Sequence, residues 1–121
     1  MYNLMSMDIK DLTNAMNEFV RLKGWTLPDS LRPQTPKNLA VSLSIEAAEV
    51  LEHFQWNENP PDPSGLASEL ADVALYLLQL ASVSGIDLEA AILEKLKINA
   101  ARTWDTHTTG NNEKEITDNE N

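Results

Sequence analysis

The segment SELADVALYLLQLA, Ser68 to Ala81, constrains this chain more than any other. Leu70, Ala71, Val73, Ala74, Leu75, Leu77, Leu78, Leu80 and Ala81 make it apolar on nearly every side when wound as a helix. Such a helix needs cover from other helices, either from this chain or from a second copy. Glu69 and Asp72 nevertheless stand one turn apart on it. An unpaired charge in a core costs several kcal/mol. Either that edge faces water, or a cation sits against it.

Three more helical segments surround this one, and no strand pattern is visible. The first runs from about Asp8 to Lys23, with Ile9, Leu12, Met16, Phe19 and Val20 on one apolar face and Gly24 at its end. A loop with three prolines follows. Thr35 before Pro36 then marks the start of the second helix, a hydroxyl cap ahead of a proline at the first helical position. That helix is predicted to run to about Trp56, where NENPPDPSG breaks it. Asp62 before Pro63 repeats the cap for the third helix, which closes at Ser84 with Gly85 as a left-handed cap. Asp87 caps a fourth, LEAAILEKLKINAARTW. The pattern predicts an all-α, four-helix bundle-like domain over residues 1–106, completed by oligomerisation. Residues 107–121 read as a disordered acidic tail.

With 121 residues and no cysteine, the chain has the length of one domain and has neither disulfides nor thiolate ligands. No apolar run is expected to span a bilayer, and no secretory leader is visible, so a cytoplasmic protein is expected. The net charge of −10 argues against a nucleic-acid polymer as partner. It leaves room for a phosphorylated small molecule held through a divalent cation.

Acidic pairs three residues apart arise easily by chance among 19 acids, so context must sort them. Asp8 and Asp11 open a helix, where acids suit the dipole. Glu115 and Asp118 lie in the tail. Glu46 and Glu49 differ, because they interrupt a mainly small or apolar helix on the face carried toward its start by Leu39 and Leu43. His53 and Trp56 continue that face. Glu69, Asp72, Tyr76 and Gln79 share a comparable face on the third helix. Two antiparallel neighbours would aim four carboxylates at one point. Either some protonate or cations occupy the space. An oxygen-only set favours Mg²⁺, with Mn²⁺ as a substitute. Two solvated helix edges remain the plainer alternative. A di-iron bundle is a poor match, because neither histidine has a Glu three residues before it: Val50 precedes His53 and Trp104 precedes His107. His53 reads as a packed or partly exposed side chain rather than a ligand.

On the fourth helix, Lys95, Asn99 and Arg102 share a face that suits phosphates, or simply water near a helix C-terminus. Trp25, Trp56 and Tyr76 are candidate walls for a nucleobase, with ordinary packing as the alternative.

Together, EAAE at Glu46 to Glu49, ELAD at Glu69 to Asp72 and the Lys95–Asn99–Arg102 spacing resemble MazG-type all-α nucleoside triphosphate pyrophosphohydrolases. EHFQW, Tyr76 and PKN at Pro36 to Asn38 are similar to the small dCTP pyrophosphatase-like branch. The chain departs from that branch at Gln34, where such relatives often carry His, and in a longer loop from Thr26 to Gln34.

The resemblance implies Mg²⁺-dependent hydrolysis of a (d)NTP to the monophosphate and pyrophosphate. Glu46, Glu49, Glu69 and Asp72 would hold metal, and Glu52 would orient water or complete a metal shell. Lys95 and Arg102 would meet the pyrophosphate. Asn99 would bond a phosphate or the sugar. Asn38, Trp25, Trp56 and Tyr76 would meet the substrate. A homodimer or dimer of dimers is expected. The alternatives are a non-catalytic helical binding module and a phosphoribosyl-ATP pyrophosphatase.

Overall fold

The computed structural model describes residues 6–59 and 62–102. Four helices follow in order: α1 (Ile9–Leu22), α2 (Pro36–Glu52), α3 (Pro63–Val83) and α4 (Leu88–Ala101). Among the described residues there is no strand. The chain divides into two units, one through Ala91 and one from Ile92.

Each helix begins where its capping chemistry dictates. Asp8 and Asp11 form a reciprocal capping box on α1, with the Asp11 N–H donating to Asp8 Oδ1 at 2.8 Å. Thr35 Oγ1 accepts from the Asn38 N–H at 3.1 Å, with Pro36 at the first helical position of α2. Asp62 Oδ1 accepts from the Gly65 N–H at 3.0 Å to start α3, and Asp87 Oδ1 accepts from the Ala90 N–H at 3.0 Å to start α4. Gly85 takes the left-handed conformation, φ +70°, just past the end of α3.

Two expectations need correction. Helix α2 stops at Glu52, four residues before Trp56. The His53, Phe54 and Gln55 N–H groups turn back to carbonyls three residues earlier, which tightens the chain into a turn ahead of the prolines. Trp56 therefore lies past the helix rather than on its last turn. The second correction concerns α3, whose 21 residues are long and apolar enough in composition to cross a bilayer. The same helix carries Glu69 and Asp72 and packs against both α1 and α2.

The core is small. Met16 and Val20 of α1 meet Leu78 of α3, with Ile9, Trp25 and Leu88 packed around them. Leu39 seats the first turn of α2 at 2% exposure. Asn17 Nδ2 donates to Ser82 Oγ at 3.1 Å, joining α1 to α3. Gln79 is buried, and its Nε2 donates to Gln34 Oε1 in the preceding loop. That bond satisfies a polar group whose burial would otherwise be costly. The acidic tail and the end of the expected domain at residue 106 lie outside the described residues.

Candidate active site

Glu46 and Glu49 are one turn apart on α2, and Glu69 rises from α3, which packs alongside. One carboxylate oxygen from each lies within 4.8 Å of the others, and all three side chains are half-buried. Three carboxylates at that range repel strongly unless a proton or cation intervenes. The Glu49 carboxyl is accordingly pushed above the usual carboxylate range. Its hydrogen bond with Glu69 is the main cause, followed by the Glu69 charge, partial burial and the Glu52 charge, while a hydrogen bond with Glu46 pulls the other way. A proton on Glu49 would relieve part of that repulsion. A divalent cation would do the same with more charge. The donor set is oxygen only, half out of water and spaced to converge on one point, so it fits a hard cation such as Mg²⁺ or Mn²⁺.

The cluster opens onto a cavity of about 340 Å³ lined by Glu49, Glu52, His53, Trp56, Asn57 and Glu69. Trp56 also lines it and is 84% exposed. Asp72, one turn beyond Glu69 and half-buried, is not among the three converging acids.

Among the other candidate residues, Trp25 and Asn38 have contacts of their own. Trp25 packs against the core and meets Phe19 edge to face at 5.6 Å between centroids, with the Arg32 guanidinium 5.3 Å above its ring. Asn38 gives its N–H to the capping Thr35 Oγ1 and donates through Nδ2 to the Pro33 carbonyl at 3.1 Å, tying the loop to the helix. Tyr76 is half-buried one turn past Asp72, and neither it, Asn38 nor Trp25 lines the cavity. Lys95 and Asn99 lie on α4 and Arg102 just past its end, exposed and within the second unit. His53 lines the cavity as a half-buried side chain, in keeping with its reading as packed or partly exposed, and Asn57, which sequence reasoning passed over, lines it too. His53 Nε2 lies 3.9 Å from Glu69 Oε1. Its position one turn after Glu49 was the available signal.

Helices that bring three carboxylates together beside an open cavity make this an all-α domain with a candidate metal site. Within that class, this chain belongs to the MazG-like family, whose family model matches residues 41–118. It is 33% identical over 103 residues to human dCTP pyrophosphatase 1, covering 78% of this chain and 58% of that protein. The rat protein of the same name is 29% identical over the same coverage. The chain thus spans a little over half the length of these relatives. A crystal structure of a pyrophosphatase from Archaeoglobus fulgidus shares the fold, with a TM-score of 0.65 and 34% identity over 82% of this chain and 94% of that one.

Proposed function

We propose that this protein hydrolyses nucleoside triphosphates between the α- and β-phosphates, giving a monophosphate and pyrophosphate. The convergence of Glu46, Glu49 and Glu69 beside the cavity carries the reading. Relatives named as dCTP pyrophosphatases and a pyrophosphatase of the same fold support it.

In the proposed reaction water attacks the α-phosphorus, the bond to the bridging oxygen breaks, and pyrophosphate leaves. Glu46, Glu49 and Glu69 would hold Mg²⁺ or Mn²⁺, with Asp72 completing the shell from the next turn of α3. A cation held there would supply charge neutralisation for the phosphate oxygens and make water easier to deprotonate. Glu52 on the cavity wall orients the attacking water. Trp56 offers its ring to the base. The pyrophosphate roles of Lys95 and Arg102, and the phosphate or sugar bond from Asn99, rest on the sequence pattern. The reading places the enzyme in cytoplasmic nucleotide-pool housekeeping.

Incubation with each dNTP and NTP plus Mg²⁺ should release pyrophosphate from at least one, and EDTA should stop it. A panel with no pyrophosphate from any nucleotide overturns the proposal. A non-hydrolysable substrate with Mg²⁺ at about 100 times Kd should stabilise the fold by about 2.7 kcal/mol.

We further propose that the working form is a homodimer or a dimer of dimers. Val41, Ile45 and Leu51 on α2 and Leu70, Leu75 and Val83 on α3 are each at least 44% exposed. A helix as apolar as α3 needs more cover than α1 and α2 give it. Light scattering should return two or four times the 13.5 kDa chain mass, and a monomeric mass at micromolar concentration contradicts it.

A further inference from the structure

The proposed reaction gives no part to Asn57, which lines the cavity beside Trp56. The other lining groups differ from it in chemistry. Glu49, Glu52 and Glu69 only accept hydrogen bonds when ionised, and the Trp56 indole only donates. His53 is set toward α3: a Cβ at Gly65 would lie 3.2 Å from its Cε1, and its Nε2 is 3.9 Å from Glu69 Oε1. The Asn57 amide places donors and an acceptor side by side on one plane, without charge and at any pH. Asn17, Asn38, Gln34 and Gln79 each use a side-chain amide to join parts of the fold. Asn57 makes no such bond with any described residue, and it is exposed. Its place follows from the end of α2 at Glu52. The turn made by the His53, Phe54 and Gln55 N–H groups delivers two consecutive residues, Trp56 and Asn57, to the same cavity.

We propose that Asn57 is a specificity-determining residue: its amide reads the hydrogen-bonding edge of the base whose face lies on Trp56. The inference rests on the pyrophosphohydrolase reading above. Stacking is tolerant, because every base has a π-face, so Trp56 alone would hold any flat ring. A group that reads the edge must stand beside the stacking surface, and the residue next to Trp56 in the chain is suited to that. A nucleobase carries a donor and an acceptor on neighbouring atoms, the pattern that an Asn amide matches with two bonds. A flat ring without that edge would take the water from the amide and return nothing. The substrate class is therefore a nucleotide with an open hydrogen-bonding edge, not any aromatic triphosphate.

The test crosses a change in the protein with a change in the base. The chains are the unaltered protein and Asn57→Leu, which keeps the shape of the side chain without its polar atoms. The substrates are the dNTP cleaved fastest and the triphosphate of an apolar ring of the same shape, difluorotoluene for a pyrimidine or methylbenzimidazole for a purine. An analogue too poor to be cleaved is measured by its inhibition constant against the dNTP. Asn57→Leu should raise KM for the dNTP about 10- to 100-fold, the worth of two neutral hydrogen bonds. Its kcat should stay within about threefold, the pattern of a contact made equally in the ground and transition states. For the analogue the two chains should agree within about threefold. If the Leu variant does not fold, Asn57→Ala carries the comparison. Equal loss on both substrates places Asn57 on the sugar, the phosphates or the fold and overturns the edge-reading role, as does no loss on either. Both results leave the pyrophosphohydrolase reading standing. No pyrophosphate from any nucleotide with the unaltered chain overturns both.

Discussion

Glu49→Gln should cut pyrophosphate release by about a hundred- to a thousandfold or more, yet raise the metal-free melting temperature at neutral pH. The two effects share one cause. In the metal-free protein the Glu49 carboxyl is pushed up, first by its hydrogen bond and charge interaction with Glu69. A carboxyl raised on folding binds its proton more tightly in the native state than in the unfolded chain. Between its ordinary value of 4.5 and its raised native value, the folded form holds more protons, so stability falls as pH climbs through that window. Above the window the penalty is constant. The Gln side chain keeps the shape and donates a hydrogen bond to Glu69 without charge, so this part of the pH slope should vanish. Added Mg²⁺ or Mn²⁺ should reverse the ranking, stabilising the unaltered chain and hardly moving the variant. Melting curves of both chains across pH, with and without cation, check each part. A variant that melts lower than the unaltered chain without metal contradicts the account.

Leu39→Ala should be the most damaging single truncation for the fold, at about 2–5 kcal/mol, because Leu39 is the least exposed core residue described. Against a total stability of about 5–15 kcal/mol for a domain, that is a large fraction. Leu39 sits two turns before Glu46 on the same face of α2. Its loss loosens the element that brings Glu46 and Glu49 to α3, so Mn²⁺ affinity should fall along with stability. Denaturant melts show the first effect and Mn²⁺ titration of the folded fraction shows the second. An effect below about 1 kcal/mol would mean that the site collapses around the gap more readily than its burial implies.

The helix starts were legible because each is written in local chemistry. Thr35, Asp62 and Asp87 cap as their sequence contexts predict, and Asp8, read only as an acid that suits the dipole, caps as well. The end of α2 was not legible. Residues 53–56 continue the helical spacing, and the tight turn comes from i+3 bonding that no residue type announces. The convergence of Glu46, Glu49 and Glu69 followed from face arithmetic alone. Asp72 shares that face by spacing but is not among the converging oxygens, because spacing fixes direction to within a turn and not to an ångström. Trp25 shows a different limit, its core packing having stood as the alternative to a nucleobase wall. An aromatic near a candidate site in sequence can serve the core, as Trp25 does against Phe19 and the α1 cluster. The neighbours of His53, Asp62, Gly65 and Glu69, come from a different helix and its cap, which spacing along α2 does not reveal.

The amide pair between Gln34 and Gln79 binds a surface crossing to the interior. Gln79 is the buried polar side chain among the described residues, and lifting the crossing away would strand its amide in an apolar setting. In deuterium labelling, the backbone around Gln34 should therefore exchange on the timescale of central α3 and more slowly than an untethered connector. Motion of this stretch, which borders the start of α2, is coupled to the opening of the interior rather than to solvent fluctuation.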